Sequence, residues 1–399
     1  PKEYKDRINF EIKVIKDMGF AGYFLVITDI LNFAREKNIP VGPGRGSVAG
    51  SLVAYSLNIT QVDPIKWNLL FSRFLNWGRK NSSPDIDLDI CERRLNEVVE
   101  YIIKKYGYNS IARVCSFGTY KAKSVVHSVC KIIGLSLQEE MRIANLIPEE
   151  KRGGQGDNKI TLDIALEDKK SELYKEYQTN PTVKQVIDKA KKLEGLIASI
   201  GQHASGFIIA PGNIFEYIPV HTSSKSNLLI SSWEKDAVEK SGLIKFDLLS
   251  LDNITVIDDT IKLIKKNTGK DIICENIPID DKMVFNELSL GYTTGVFQLN
   301  KPGITEFTKN FRPSSIEDIS SISSLFRPGP LSGGYVSEAI RIRNGENSTK
   351  RLDIKIPKLS NILKSTNGLL TYQEQVMAIA QEYAGYDEIN ADSLRKAMG

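Results

Sequence analysis

Apolar residues recur at Ile8, Ile12, Ile15 and Met18, the three-to-four spacing of one helix face, and Gly19 closes the segment. A second helix is predicted over 23–36. The glycine-rich stretch Val41-Gly-Pro-Gly-Arg-Gly-Ser-Val-Ala-Gly50 then runs into 51–57, which has the length and pattern of another helix. Residues 84–90 alternate strictly between acid and aliphatic, the period of a strand. From Thr119 to about Leu193 lysines recur on helical patterns, among them Lys121, Lys123, Lys131, Lys184 and Lys191, with a polar loop near 153–158; this predicts a basic helical insertion. Strand patterns return at 206–210, 228–232 and 243–249, so the sheet resumes after the insertion. Beyond Asp252 the chain is helical again. Ser314-Ser-Ile-Glu317 fits a capping box, Ile316, Ile319, Ile322 and Leu325 give one apolar face, and Phe326-Arg-Pro-Gly-Pro330 ends that helix. A further helix over 372–384 stops at Gly385. No internal repeat and no low-complexity tract interrupts this plan of sheet domain, helical insertion, sheet return and helical domain.

At 399 residues the chain has material for two or three domains of about 150 residues. Hydrophobic residues make up 41% and charged residues 26%, which excludes disorder as the main state. No run approaches the roughly 18 apolar residues that span a bilayer, and no signal pattern opens the chain. Cys91, Cys115, Cys130 and Cys274 form no CxxC pair, so neither a disulfide framework nor a zinc ribbon is expected, and a reducing cytoplasm is the expected compartment. The net charge of +4 permits nucleic-acid binding without arguing for it. Starting at Pro1 without a Met and stopping at Gly399 inside a helical pattern, the chain reads as a piece of a longer polypeptide.

The sharpest chemical signal is Pro84-Asp-Ile-Asp-Leu-Asp-Ile90. Period two puts Asp85, Asp87 and Asp89 on one strand face and Ile86, Leu88 and Ile90 on the other. Like charges this close become tolerable around a divalent cation, and Mg²⁺ prefers carboxylate oxygens; the alternative is a solvated acidic edge. In Leu243-Ile-Lys-Phe-Asp-Leu-Leu249 the same period pairs Lys245 with Asp247. Standing alone, that is a structural ion pair. Beside the first strand, Asp247 becomes a third metal ligand and Lys245 a phosphate or carboxylate partner. Two Mg²⁺ ions about 3.5 to 4 Å apart, bridged by such carboxylates, clamp an in-line phosphoryl or nucleotidyl transfer. In Gly42-Pro-Gly-Arg-Gly-Ser47 the glycines let backbone N–H groups approach an anion, and Arg45 can add a bidentate phosphate contact; the alternative is a purely structural glycine turn. The loop is not a P-loop, because no Gly-Lys-Ser/Thr follows. Its GxGxxA spacing has a poor dinucleotide-binding context, since Asp63 sits in a Gln-Val-Asp-Pro turn. His127, His203 and His221 have no metal-ligand spacing; His203, in Gln202-His-Ala-Ser-Gly206, either lines a site or is a core or loop histidine.

The ordered set Gly42-Pro-Gly-Arg-Gly-Ser-Val-Ala-Gly-Ser-Leu-Val-Ala-Tyr55, Pro84-Asp-Ile-Asp-Leu-Asp89, Ser116-Phe-Gly-Thr119, Lys245-Phe-Asp247, Gly295-Val-Phe-Gln298, Phe326-Arg-Pro-Gly-Pro330 and Tyr372-Gln-Glu-Gln375 resembles the motif series of the bacterial C-family replicative DNA polymerases, the polymerase III alpha subunits. The resemblance spans nearly the whole chain. It implies an α+β fold with a polymerase-beta-like nucleotidyltransferase palm of mixed sheet and helices in two parts, 1–118 and 200–252, an inserted helical thumb over 119–199, and the start of a helical fingers domain over 253–399. By the same likeness Asp87, Asp89 and Asp247 match the catalytic aspartates that hold two Mg²⁺ ions, and Asp85 matches the acidic position outside that triad. Gly46 and Ser47 match the loop that contacts the incoming triphosphate, Lys245 the motif lysine, and Arg327 and Arg395 basic fingers positions that meet the triphosphate. Two departures, Ser250 where the family commonly has Gly and Trp77-Gly-Arg79 where it has Pro-Glu-Arg, touch no implied ligand.

The expected activity is template-directed addition of deoxynucleotides to a primer 3′-hydroxyl with release of pyrophosphate. One Mg²⁺ lowers the pKa of the hydroxyl, and the other steadies the leaving group. Lys121, Lys123 and Lys131 are expected to track duplex phosphates without reading bases. The implied partners are primer-template DNA and deoxynucleoside triphosphates, with sliding clamp, clamp loader and proofreading components met through regions outside this chain, and no membrane. Two rival readings are a noncatalytic nucleic-acid-binding module, which needs the basic insertion but not the acids, and a metal-dependent phosphohydrolase.

Overall fold

Among the described residues six strands form one mixed sheet in the order β1-β6-β3-β2-β5-β4, where β1 is Asp87–Ile90, β2 Ile111–Thr119, β3 Ile197–Ile209, β4 Val220–Ser223, β5 Ser226–Ser231 and β6 Lys245–Ser250. β6 runs parallel to β1 and antiparallel to β3; β5 runs parallel to β2 and antiparallel to β4. The fold is α+β, as the family resemblance implies. This computed structural model describes residues 2–79, 83–148, 160–223, 226–352 and 356–398. The polar loop read near 153–158 lies outside them.

The chain divides into two compact units. One comprises residues 1–114, 204–326 and 334–399, the other 115–203 and 327–333. In the first, the helix Ala21–Glu36 buries Tyr23, Phe24, Ile27, Ile30, Leu31 and Ala34, a stripe at helical spacing that joins Ile86, Leu88, Ile90, Phe246 and Leu248 in one core. The aliphatic face of β1 thus packs inward, and its acids are left on the other side. The last third of this unit is helical, with a core of Leu299, Ile304, Phe307, Phe311, Ile322 and Leu325. The second unit packs the helices Ala122–Ile132, Leu137–Asn145, Leu162–Glu167, Glu172–Thr179 and Pro181–Leu193 around Val125, Val126, Ile143, Leu162, Val183, Val186 and Ile187. Each of the last four starts at a side-chain cap: Ser136, Thr161, Ser171 and Asn180 accept N–H groups of the first turn. Among the described residues no helix is long and apolar enough to cross a membrane.

Two helices differ from their sequence readings by one position. In the first helix, Lys2–Asp17, the buried face is Glu11, Val14 and Ile15, while Ile12 is 38% exposed. Glu11 is inside because its charge is met: Arg7 Nε donates to Oε1 at 2.6 Å, and Ser51 Oγ and the Val53 N–H donate to Oε2 at 2.9 and 3.0 Å. Those last two donors open the short helix Leu52–Ser56, so a buried carboxylate anchors the segment that follows the glycine loop. The second shift is at the helix Ile316–Leu325. Its cap is Ser315, which accepts the Asp318 N–H at 3.2 Å, while Asp318 Oδ2 accepts from the N–H and hydroxyl of Ser314.

Candidate active site

The parallel register of β1 and β6 places Asp87 directly beside Asp247. Side chains at register partners of parallel strands share a face, so two segments remote in sequence deliver carboxylates to one spot. Oxygens of Asp85, Asp87 and Asp247 lie within 4.8 Å of one another. Burial pushes the Asp87 carboxyl above its ordinary pKa, and the negative charges of Asp85 and Asp247 push the same way. This is the balance that a cation would reverse. The donors are all carboxylate oxygens, the set a hard divalent ion prefers, so the residues fit such an ion.

Each acid has its own support. Asp247 is 4% exposed; its Oδ1 accepts from Ser205 Oγ at 2.8 Å, and its Oδ2 pairs with the Lys245 ammonium. Ser205 reaches it from β3, where Gly206 is the register partner of Asp247. Asp89 is 7% exposed and turned onto Arg45, whose Nη2 and Nε donate to its two oxygens at 2.7 and 3.0 Å. The glycine loop brings Arg45 there. The Gly42 N–H donates to the Asp89 carbonyl at 2.8 Å, and a Cβ at Gly42 would stand 2.8 Å from the Asp89 Cβ, so the loop can lie on β1 only without a side chain at that point. Gly46, with φ of +69°, takes the left-handed turn that starts the 3₁₀ segment Gly46–Gly50. The carboxylates that converge are therefore Asp85, Asp87 and Asp247, while Asp89, on the same strand, is neutralised by the loop arginine. The strand period groups Asp85 with Asp87 and Asp89, whereas the family resemblance leaves Asp85 outside the triad; neither carries a signal for the Arg45–Asp89 pair. Sequence reasoning missed Ser205 by fixing on His203 two residues earlier, although Ser205 adjoins the glycine that registers with Asp247.

The Arg45–Asp89 contact invites a double-mutant cycle. Arg45→Ala and Asp89→Ala are expected to show a coupling of about 1 to 2 kcal/mol in urea unfolding, below the range for fully buried pairs because Arg45 is 36% exposed. Strict additivity would reduce the bidentate contact to an incidental one.

Residues 1–250 match the bacterial DNA polymerase III alpha NTPase domain and residues 253–399 the bacterial DNA polymerase III alpha subunit finger domain. The chain belongs to the bacterial DNA polymerase III alpha subunit family. It is 41% identical over 400 residues to a DNA polymerase III subunit alpha of Campylobacter jejuni, covering 100% of this chain and 32% of that relative. A Buchnera aphidicola protein of the same name is 41% identical over 402 residues (99% of this chain, 34% of the relative), and one from Escherichia coli is 39% identical over 403 (100% and 34%). The chain thus spans about a third of the length of the curated relatives it matches. The junction between the two family domains falls between the end of β6 and the helix Asp252–Thr268.

Arg395 is held by Asp392 at 2.8 Å and donates to Gln373 at 3.1 Å, in a network with Arg79. Arg327 is exposed and belongs to the second unit. In that unit Lys121 caps the helix Ala122–Ile132, Lys123 lies in its first turn, and Lys131 stands 3.8 Å from Glu140, which also meets His127 Nδ1 at 2.9 Å. Asp63 closes a turn, accepting from the Tyr4 hydroxyl at 2.7 Å and the Ile65 N–H at 2.9 Å, a structural role foreign to dinucleotide binding. In Tyr372-Gln-Glu-Gln375, buried Gln375 accepts the Thr371 and Tyr372 N–H groups and donates to Thr366 Oγ1.

Proposed function

We propose that this chain carries the nucleotidyl-transfer centre of a replicative DNA polymerase, joining deoxynucleoside triphosphates to a primer 3′-hydroxyl under template direction and releasing pyrophosphate. The observation that carries the reading is the convergence of Asp85, Asp87 and Asp247 across β1 and β6, beside a glycine loop that presents a guanidinium. In this reading 1–118 and 200–252 are palm, 119–199 thumb and 253–399 fingers, and the protein works on DNA in the cytoplasm.

Asp85, Asp87 and Asp247 would hold Mg²⁺, two ions in the full assembly, which when bound supply Lewis-acid activation of the hydroxyl and neutralise charge on the phosphates. Asp89 joins that set by releasing Arg45, and the freed guanidinium is then available to a triphosphate oxygen. Backbone N–H groups at Gly46 and Ser47 bind phosphate at the same loop. Lys245 pairs with Asp247 and orients it, and Arg327 and Arg395 are the fingers cations assigned to the triphosphate. Lys121, Lys123 and Lys131 bind duplex backbone. Sliding clamp, clamp loader and proofreading components are partners of the whole polypeptide.

The test is primer extension by the full polypeptide with Mg²⁺, scoring released pyrophosphate against incorporated nucleotide. One pyrophosphate per template-encoded addition, with none when primer or template is omitted, is the expected result. Release of inorganic phosphate without a template would replace this reading with a phosphohydrolase. Duplex binding with no turnover would leave a binding module.

A further inference from the structure

Three carboxylates within 4.8 Å of one another drive their strands apart unless something fixes the backbone that bears them. Asp85 precedes β1, and the residue between it and Asp87, Ile86, lies outside the β1–β6 ladder. The buried Ile86 N–H needs an acceptor from elsewhere. It finds the hydroxyl of Tyr23, at 3.2 Å, on the helix Ala21–Glu36. The ring of the same tyrosine packs on Phe246, centroid to centroid 5.0 Å, and Phe246 is the residue between Lys245 and Asp247. One buried side chain therefore grips the midpoint of each acid-bearing segment from the side opposite the acids.

We propose that Tyr23 is a positioning residue for the acidic centre, its hydroxyl setting the Asp85–Asp87 segment and its ring setting the Lys245–Asp247 segment, so that the cluster keeps its spacing with or without an ion. This rests on the metal-binding reading above. Supports of this kind, one step removed from the ligands, change metal affinity about 10- to 100-fold when lost. Burial, together with the charges of Asp85, Asp247 and Asp87, raises the Tyr23 pKa, so the hydroxyl stays neutral beside the cluster.

The experiment is a Mn²⁺ titration of the full polypeptide by electron paramagnetic resonance, counting only sites that Asp87→Asn removes. Tyr23→Phe keeps the ring and deletes the acceptor. It is expected to weaken Mn²⁺ about tenfold and to raise by a similar factor the Mg²⁺ concentration for half-maximal extension, with the rate at saturating Mg²⁺ within about twofold of wild type. Phe246→Leu, which removes the ring contact from the other strand, is expected to weaken Mn²⁺ as well, and it carries the test if Tyr23→Phe does not fold. Unchanged Mn²⁺ affinity in the folded variants overturns the proposal, whether or not Tm falls. Absence of any Asp87-dependent Mn²⁺ site in wild type overturns the metal-binding reading itself, a separate result.

Discussion

Asp87→Asn is expected to slow nucleotide incorporation by the full polypeptide about 10³-fold, equivalent to roughly 4 kcal/mol of lost transition-state stabilisation, while raising the Tm of the metal-free protein by a few degrees. The two effects share one cause. Asp87 faces Asp85 and Asp247, and its pKa is raised because ionising it there is unfavourable. Without a cation, the amide relieves repulsion; with one, it removes a ligand. The sign with pH follows: a carboxyl whose folded pKa is raised favours folding only below that pKa, so the stability gained by the variant is present at neutral pH and shrinks as pH falls through it. Single-turnover incorporation, duplex anisotropy and calorimetry across pH check the three parts. Duplex binding is expected to persist within about twofold, since none of these acids is assigned to duplex contact. Lost duplex binding with unaltered incorporation would remove Asp87 from the chemistry.

The largest expected structural effect lies far along the chain, at Asp392. This buried carboxylate accepts from Arg79 Nε and Nη2 at 2.9 and 3.0 Å and from Arg395 Nε at 2.9 Å, with Lys396 at 3.8 Å. Burial pushes its pKa up, but Arg79 and Arg395 outweigh that and hold it below the ordinary value. Asp392→Ala strands two guanidinium groups with little solvent access and is expected to cost about 3 to 5 kcal/mol. Amide exchange in the helix Glu388–Ala397 then speeds by roughly two to four orders of magnitude. The pH sign is opposite to that at Asp87. A depressed pKa contributes stability at neutral pH that is lost as pH falls through it, so Asp392→Asn and wild type converge in acid. Exchange that does not change would mean that the helix is held by its apolar contacts alone.

Much of this was legible in the sequence because it rests on strict periods. The acid-aliphatic alternation of 84–90 and the Lys245/Asp247 spacing put those side chains on the faces where they are found, and helices over 21–36 and 373–384 follow their apolar stripes. What escaped depends on partners distant in sequence. Glu11 belongs to a buried face because Arg7, Ser51 and Val53 satisfy it, and no local pattern records that. β2 escaped because its buried positions, Ile111, Ala112, Val114 and Cys115, do not alternate. Asp89 shares a strand face with Asp87, yet it points its charge at a loop cation. Alternation reports the face of a side chain, not its partner. Arg79, in the tripeptide that departs from the family pattern, turns out to hold Asp392 and the Phe74 carbonyl.

The pairing of β1 with β6 also constrains the order in which the molecule can assemble. Asp87 and Asp247 are neighbours in the sheet but are separated by the whole helical unit, so joining them directly means closing a very long loop, which is entropically costly. The helical unit has a core of its own, and β2 lies beside β3 in the sheet. Pairing of β2 with β3 shortens the path left to search between the acids. Local contacts form ahead of distant ones in such topologies. The carboxylates are therefore expected to come together after the insertion between them has folded, an order that pulse-labelled amide exchange during refolding would check.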